Sequence, residues 1–136
     1  MNESAFTCFV IGGDTLLTEC AEVLLARGHH ISGVITSAPK VEAWARGRGL
    51  RLIDARGDYG AALSDEAFDY LFAITHLALL PDRVLSLPRR ATINFHDGPL
   101  PRYAGLNTPA WALMNGETAY GVSWHLVTPE IGRAHV

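Results

Sequence analysis

Phe6 to Ile11 (FTCFVI) is a near-continuous apolar run, closed at once by Gly12-Gly13-Asp14 and followed by an amphipathic stretch from Thr15 to Arg27. A strand that is apolar on both faces has to be covered on both sides, and a parallel sheet sandwiched between helices is the architecture that does this. The same alternation recurs along the chain. In the segment after Asp14, Leu16, Cys20, Val23 and Leu24 share one helical stripe, and Gly28 is placed to stop it. His30 to Thr36 reads as a second strand. Pro39 can open the next helix at its first turn, with Val41, Ala45 and Trp44 on the inner side. Leu50 to Ile53 is a short third strand, and Asp54 to Gly60 is a polar, glycine-bearing connection. Asp69 to Ile74 is a strong strand, Pro81 marks a short helix through Leu85, and Ala91 to His96 is a further strand. A helix from about Pro109 to Met114 and an alternating strand from Tyr120 to Val127 complete the pattern. The expected fold class is α/β, a Rossmann-like three-layer sandwich with a mostly parallel sheet.

Composition narrows the function. At 136 residues the chain is of single-domain size and can bury roughly two-thirds of its unfolded surface. With 49% hydrophobic and 18% charged residues, it is not of the disordered class. Eleven Lys and Arg against 14 Asp and Glu, a net charge of −3 and a single lysine, Lys40, argue against a general nucleic-acid or anionic-membrane binder. The N-terminus is not basic and its apolar run is short, so a secretory leader is not expected. No stretch approaches the ~18–20 apolar residues of a membrane span. Cys8 and Cys20 read as small buried hydrophobes, and the expected setting is cytoplasmic.

In open α/β sheets ligands bind beyond the carboxyl ends of the strands. Three such loops carry polar or glycine-rich residues. Gly12-Gly13-Asp14 lacks the GxGxxG spacing that a dinucleotide pyrophosphate requires, and reads first as a tight turn with Asp14 or Thr15 as cap, with a modest contribution to a ligand pocket as the alternative. Thr75-His76 is the second. The third, Asn94-Phe95-His96-Asp97-Gly98, sets an amide and an imidazole one residue apart on a strand, hence on one face. That pair offers a hydrogen-bond donor for a developing oxyanion and a group that moves protons near pH 7. Spacing alone leaves a structural strand end equally open. His29 and His30 are adjacent and point apart, which suits a metal poorly. His125, on the last strand, reads as a packed or solvated residue.

Asn94-Phe95-His96 followed by Gly98-Pro99-Leu100-Pro101-Arg102-Tyr103-Ala104-Gly105 resembles the active-site signature of the folate-dependent formyltransferases. That family includes methionyl-tRNA, glycinamide ribonucleotide and sugar-amine formyltransferases, formyltetrahydrofolate deformylases, and formylation domains fused to synthetases. The similarity continues through Thr108–Leu113, Asn115-Gly116-Glu117 and Tyr120–His125. Upstream, Asp69–Phe72 and Leu79-Leu80-Pro81 resemble the strand and loop that wrap the pterin ring. The resemblance implies formyl transfer from 10-formyltetrahydrofolate to an amine without a metal. It implies Asn94 and His96 as catalytic residues, and His76, Leu77, Ala78, Leu80 and Asp97 on the folate side. For His76, a role in shaping the loop and a contact with the ligand both stand open. Arg102 and Gly105 would border the acceptor, a small or carrier-bound amine, with tRNA left open.

The family also uses an aspartate to orient the histidine. Counted without gaps it falls thirty-eight positions beyond Asn94, where this chain has Gly132. Residues 132–136 (GRAHV) do not follow the family pattern. The expectation is a folate-binding catalytic domain over 1–131, incomplete at its C-terminal side, an unmatched tail, and a chain with little turnover of its own. A folate-binding module without turnover and a formyltetrahydrofolate hydrolase are the rival readings.

Overall fold

The computed structural model describes residues 5–74, 76, 80–97 and 122–127, with His96, Asp97 and 122–127 described by their backbone. In chain order the elements are β1 (Thr7–Ile11), α1 (Thr15–Ala26), β2 (His30–Thr36), α2 (Pro39–Gly47), β3 (Leu52–Asp54), α3 (Tyr59–Leu63), β4 (Tyr70–Ile74), α4 (Asp82–Leu85), β5 (Ala91–Asp97) and β6 (Val122–Val127).

The strands form one sheet in the order β3-β2-β1-β4-β5-β6. The first five are parallel, and β6 runs antiparallel to β5. Alternate residues of each strand feed two cores. Cys8, Val10, Phe72, Ile74, Ile93 and Phe95 pack with Leu17 and Leu24 of α1 and Val41 and Ala45 of α2. Phe9, Ile11, Ile35, Leu71 and Ala73 pack with Leu63 of α3 and with Val84 and Leu85 of α4. The result is the Rossmann-like three-layer sandwich that the sequence predicts.

The local signals act as expected at most boundaries. Asp14 caps α1, its carboxylate accepting the Leu16 N–H at 3.1 Å. Gly28 follows the helix at φ +89°, a backbone state that glycine adopts without penalty. Pro39 stands in the first turn of α2, and Trp44, half-buried, donates from Nε1 to Glu22 at 2.8 Å. Two elements differ from the sequence reading. β3 starts at Leu52 rather than Leu50, because the Leu50 N–H is taken by the Ala45 carbonyl as α2 closes. The connection after Asp54 contains α3. Its five residues are too few to show a helical stripe, and it is held by buried Leu63 and by Arg83 of α4, which pairs with Asp58 at 2.9 Å. The expected helix at 109–114 and residues 120–121 lie outside the described residues.

Candidate functional site

Strand order reverses direction between β1 and β4, so the crevice beyond their carboxyl ends is the topological switch point where such sheets bind ligands. β5 flanks it. Asn94 sits opposite Ala73 of β4 on one side and His125 of β6 on the other. Ile93 and Phe95 belong to the core under α1 and α2. Thr92 faces the other way, its buried hydroxyl donating to the Leu85 carbonyl at 3.2 Å. Asn94 follows Thr92 by two residues on that same α4 side. It is half-buried, and its amide makes no hydrogen bond among the described residues. His96 follows by two more residues, still within β5 and opposite Ser123, and Asp97 is the strand's last residue. The strand therefore persists through the whole Asn-x-His pair.

On the β4 side, His76 lies two residues beyond the strand. Its Nε2 is shut off from solvent and has no hydrogen-bond partner among the described residues. Desolvation by burial holds its pKa below the ordinary imidazole value, which keeps the ring neutral at pH 7. Leu80 is buried beside Leu71, Ala73 and Val84. Of the other residues singled out in the sequence, Leu77, Ala78, Arg102, Gly105 and Gly132 lie outside the described residues.

The remaining candidates fall away on physical grounds. Cys8 and Cys20 are buried, and burial pushes both thiols up, Cys20 to about 12, so neither is a nucleophile near pH 7. His29 stacks on Phe6 with ring centroids 3.6 Å apart and accepts the Phe6 N–H on Nδ1 at 3.2 Å, a core role at the far end of the sheet. Among the described residues no cluster of three His, Cys, Asp or Glu side chains is arranged for a metal, and no helix is long and apolar enough to cross a membrane.

Sequence reasoning gave the Gly12-Gly13-Asp14 loop a modest part in a ligand pocket but missed that the concavity there, of about 500 Å3, lies between the starts of α1 and α2, with Pro39 and Lys40 joining Gly13, Asp14 and Thr15 in its lining. None of the residues assigned to the site lines it. It also missed the tight approach of Gly12 to β4, a contact between residues too far apart in the chain to leave a local signal.

The sheet order and its covering helices define an α/β domain of the Rossmann-like class. The chain belongs to the formyl transferase family: the profile described as "Formyl transferase" matches residues 51–133, more than half of the sequence. GDP-perosamine N-formyltransferase of Brucella melitensis biotype 1 is 32% identical over 84 residues, covering 56% of this chain and 32% of that protein. Methionyl-tRNA formyltransferase of Deinococcus radiodurans is 34% identical over 96 residues, covering 67% of this chain and 30% of that protein. The chain thus spans about a third of the length of these curated relatives. Among solved structures, phosphoribosylglycinamide formyltransferase of Coxiella burnetii shares the fold at a TM-score of 0.62 and 24% identity, over 93% of this chain and 67% of that one. The enzyme of the same description from Brucella melitensis gives 0.66 and 22%, over 95% and 76%.

Proposed function

We propose that the protein moves a formyl group from 10-formyltetrahydrofolate to an amine, with Asn94 and His96 as its catalytic residues. The observation that carries this reading is that both belong to one strand ending beside the switch point, within the stretch that matches the formyl transferase profile. His76 Nε2, without a partner among the described residues, and the buried Leu80 supply a polar atom and an apolar wall of the kind a flat heteroaromatic ring takes. Leu77, Ala78 and Asp97 complete the folate side.

The co-substrate supplies an activated formyl carbon. Asn94 donates from its side-chain amide to the formyl oxygen, where negative charge collects as the amine nitrogen adds. One such donor is worth ~10²–10³ in rate. His96 takes the proton that the amine sheds and delivers it to the folate nitrogen as the carbon–nitrogen bond to folate breaks. The neutral amine becomes a formamide, and tetrahydrofolate leaves.

Residues 1–131 are the catalytic, folate-binding domain in this reading. Gly132 stands where the family carries the carboxylate that orients the histidine, and loss of such an orienter lowers turnover by about 10⁴ in a comparable triad. The chain as written is therefore a poor catalyst. Arg102 and Gly105 border the acceptor, a small or carrier-bound amine. The names of the relatives span a nucleotide sugar and a tRNA, and the net charge of −3 favours the smaller partner. A cytoplasmic setting suits both substrates.

Gly132 specifically favours a second reading, a folate-binding module without turnover. Incubation of the intact protein with 10-formyltetrahydrofolate and a panel of amines, analysed by mass spectrometry, separates the possibilities. Formylated amine supports transfer, released formate alone selects a hydrolase, and binding without either selects the module. Absence of folate binding refutes the reading altogether.

A further inference from the structure

Gly12 directly follows β1 at the place where strand order reverses. Its N–H donates to the Ile35 carbonyl of β2 at 3.1 Å, and its other side abuts the last carbonyl of β4. A methyl group on Gly12 would overlap the Ile74 carbonyl oxygen and lie 3.1 Å from Cδ1 of the fully buried Leu17. The obstructing atom is backbone, so relief requires the β4 terminus itself to move. Ile74, whose carbonyl would have to move, is two residues before His76 in the chain.

Two other glycines provide the contrast. A methyl on exposed Gly13 meets only the Ala38 Cβ, at the ordinary distance of 3.7 Å. A methyl on Gly33 crowds the Phe9 ring at 2.8 Å and Ile53 Cδ1 at 3.1 Å, in mid-sheet, where side chains and not the β4 terminus must give.

We propose that Gly12 is a positioning residue for folate: its lack of a side chain fixes the Ile74 carbonyl and, through the chain that follows, His76 just beyond the β4 end of the switch point. The proposal rests on the reading that folate binds there.

The probe is 5-formyltetrahydrofolate, which carries its formyl group on the nitrogen that does not transfer it. Calorimetric titration of the intact protein is compared with Gly12→Ala, Gly13→Ala and Gly33→Ala, and the His76 ring is titrated by NMR in each. Gly12→Ala should bind at least tenfold more weakly, with the His76 pKa moved toward its ordinary value. Gly13→Ala and Gly33→Ala should bind within twofold of the parent, although Gly33→Ala lowers the unfolding midpoint. A Gly12→Ala protein that binds like the parent, or a Gly33→Ala protein that weakens equally, overturns the proposal. A parent that does not bind the probe overturns the reading beneath it. If Gly12→Ala does not fold, amide exchange in the parent decides: the Gly12 N–H must gain at least tenfold protection on probe binding while Gly33 gains less than twofold, and equal protection overturns the proposal.

Discussion

Replacing Asp69 tests the tie that fixes the opposite, amino-terminal end of the sheet. The carboxylate accepts the Thr7 N–H at 3.0 Å, with the Thr7 hydroxyl at 3.5 Å, Arg89 Nη2 at 3.0 Å and Arg90 Nε at 3.8 Å. Its side chain is 12% exposed, whereas both arginines are 58% exposed. The two parts of this cluster therefore carry different weights. Asp69→Ala leaves a half-buried N–H unsatisfied, at about 1–3 kcal/mol. The arginine pairs, mostly in water, add about 0.2–1 kcal/mol. The sum is about 1–4 kcal/mol, whereas Asp69→Asn keeps an acceptor for Thr7 and costs about 1 kcal/mol. Burial on its own would raise the Asp69 pKa, but the Thr7 N–H and the arginines outweigh it and hold the carboxyl below the ordinary value of 3.8. A depressed carboxylate stabilises the fold above the unfolded-state pKa, and that stability is lost as pH falls through the folded-state value. Urea denaturation followed by tryptophan fluorescence should show a full gap between parent and Asp69→Ala at pH 7. The gap should narrow progressively below about pH 4. A cost under 0.5 kcal/mol at pH 7, or a gap that does not change with pH, refutes the account.

Two further expectations concern the site and the core. Under the proposed function, Asn94→Ala should lower formyl transfer by a further ~10²–10³ from an expected low parent rate, read with radiolabelled formyl groups. Its unfolding midpoint should move by no more than the equivalent of ~0.5 kcal/mol, since the amide has no partner among the described residues; a stability loss above 1.5 kcal/mol would assign it a structural role instead. Cys8 and Cys20, both raised by burial, should resist iodoacetamide at pH 8 in the native protein and react once urea unfolds it. Rapid native alkylation of either would contradict its place in the core.

The fold was legible where one local device set each boundary. β2 runs over His30–Thr36 as read, and α1 begins at Thr15 behind the Asp14 cap, because apolar continuity and a glycine or proline stop act within a few residues. α3 was not legible: what makes Tyr59–Leu63 helical is its packing on α4, a contact that leaves no periodic trace in five residues. β3 slipped by two residues because the closing turn of α2 claims Leu50. In the site, the Asn94–His96 spacing was readable since alternation along a strand is a local property. The squeeze at Gly12 was not, because it depends on which distant strand lies alongside.

That distant pairing also bears on synthesis. β1 pairs with β4 from Cys8–Tyr70 to Ile11–Ala73, and Thr7 and Asp69 are 62 residues apart in the chain. At ~5–20 residues per second, the ribosome takes about 3–12 s to make the partner after β1 is complete. During that interval an apolar edge, Cys8–Ile11, waits unpaired, the kind of exposed strand that attracts other chains. The nascent protein is therefore most in need of chaperone shelter before Ile74 emerges, and slowing translation between β3 and β4 should raise the share lost to aggregates.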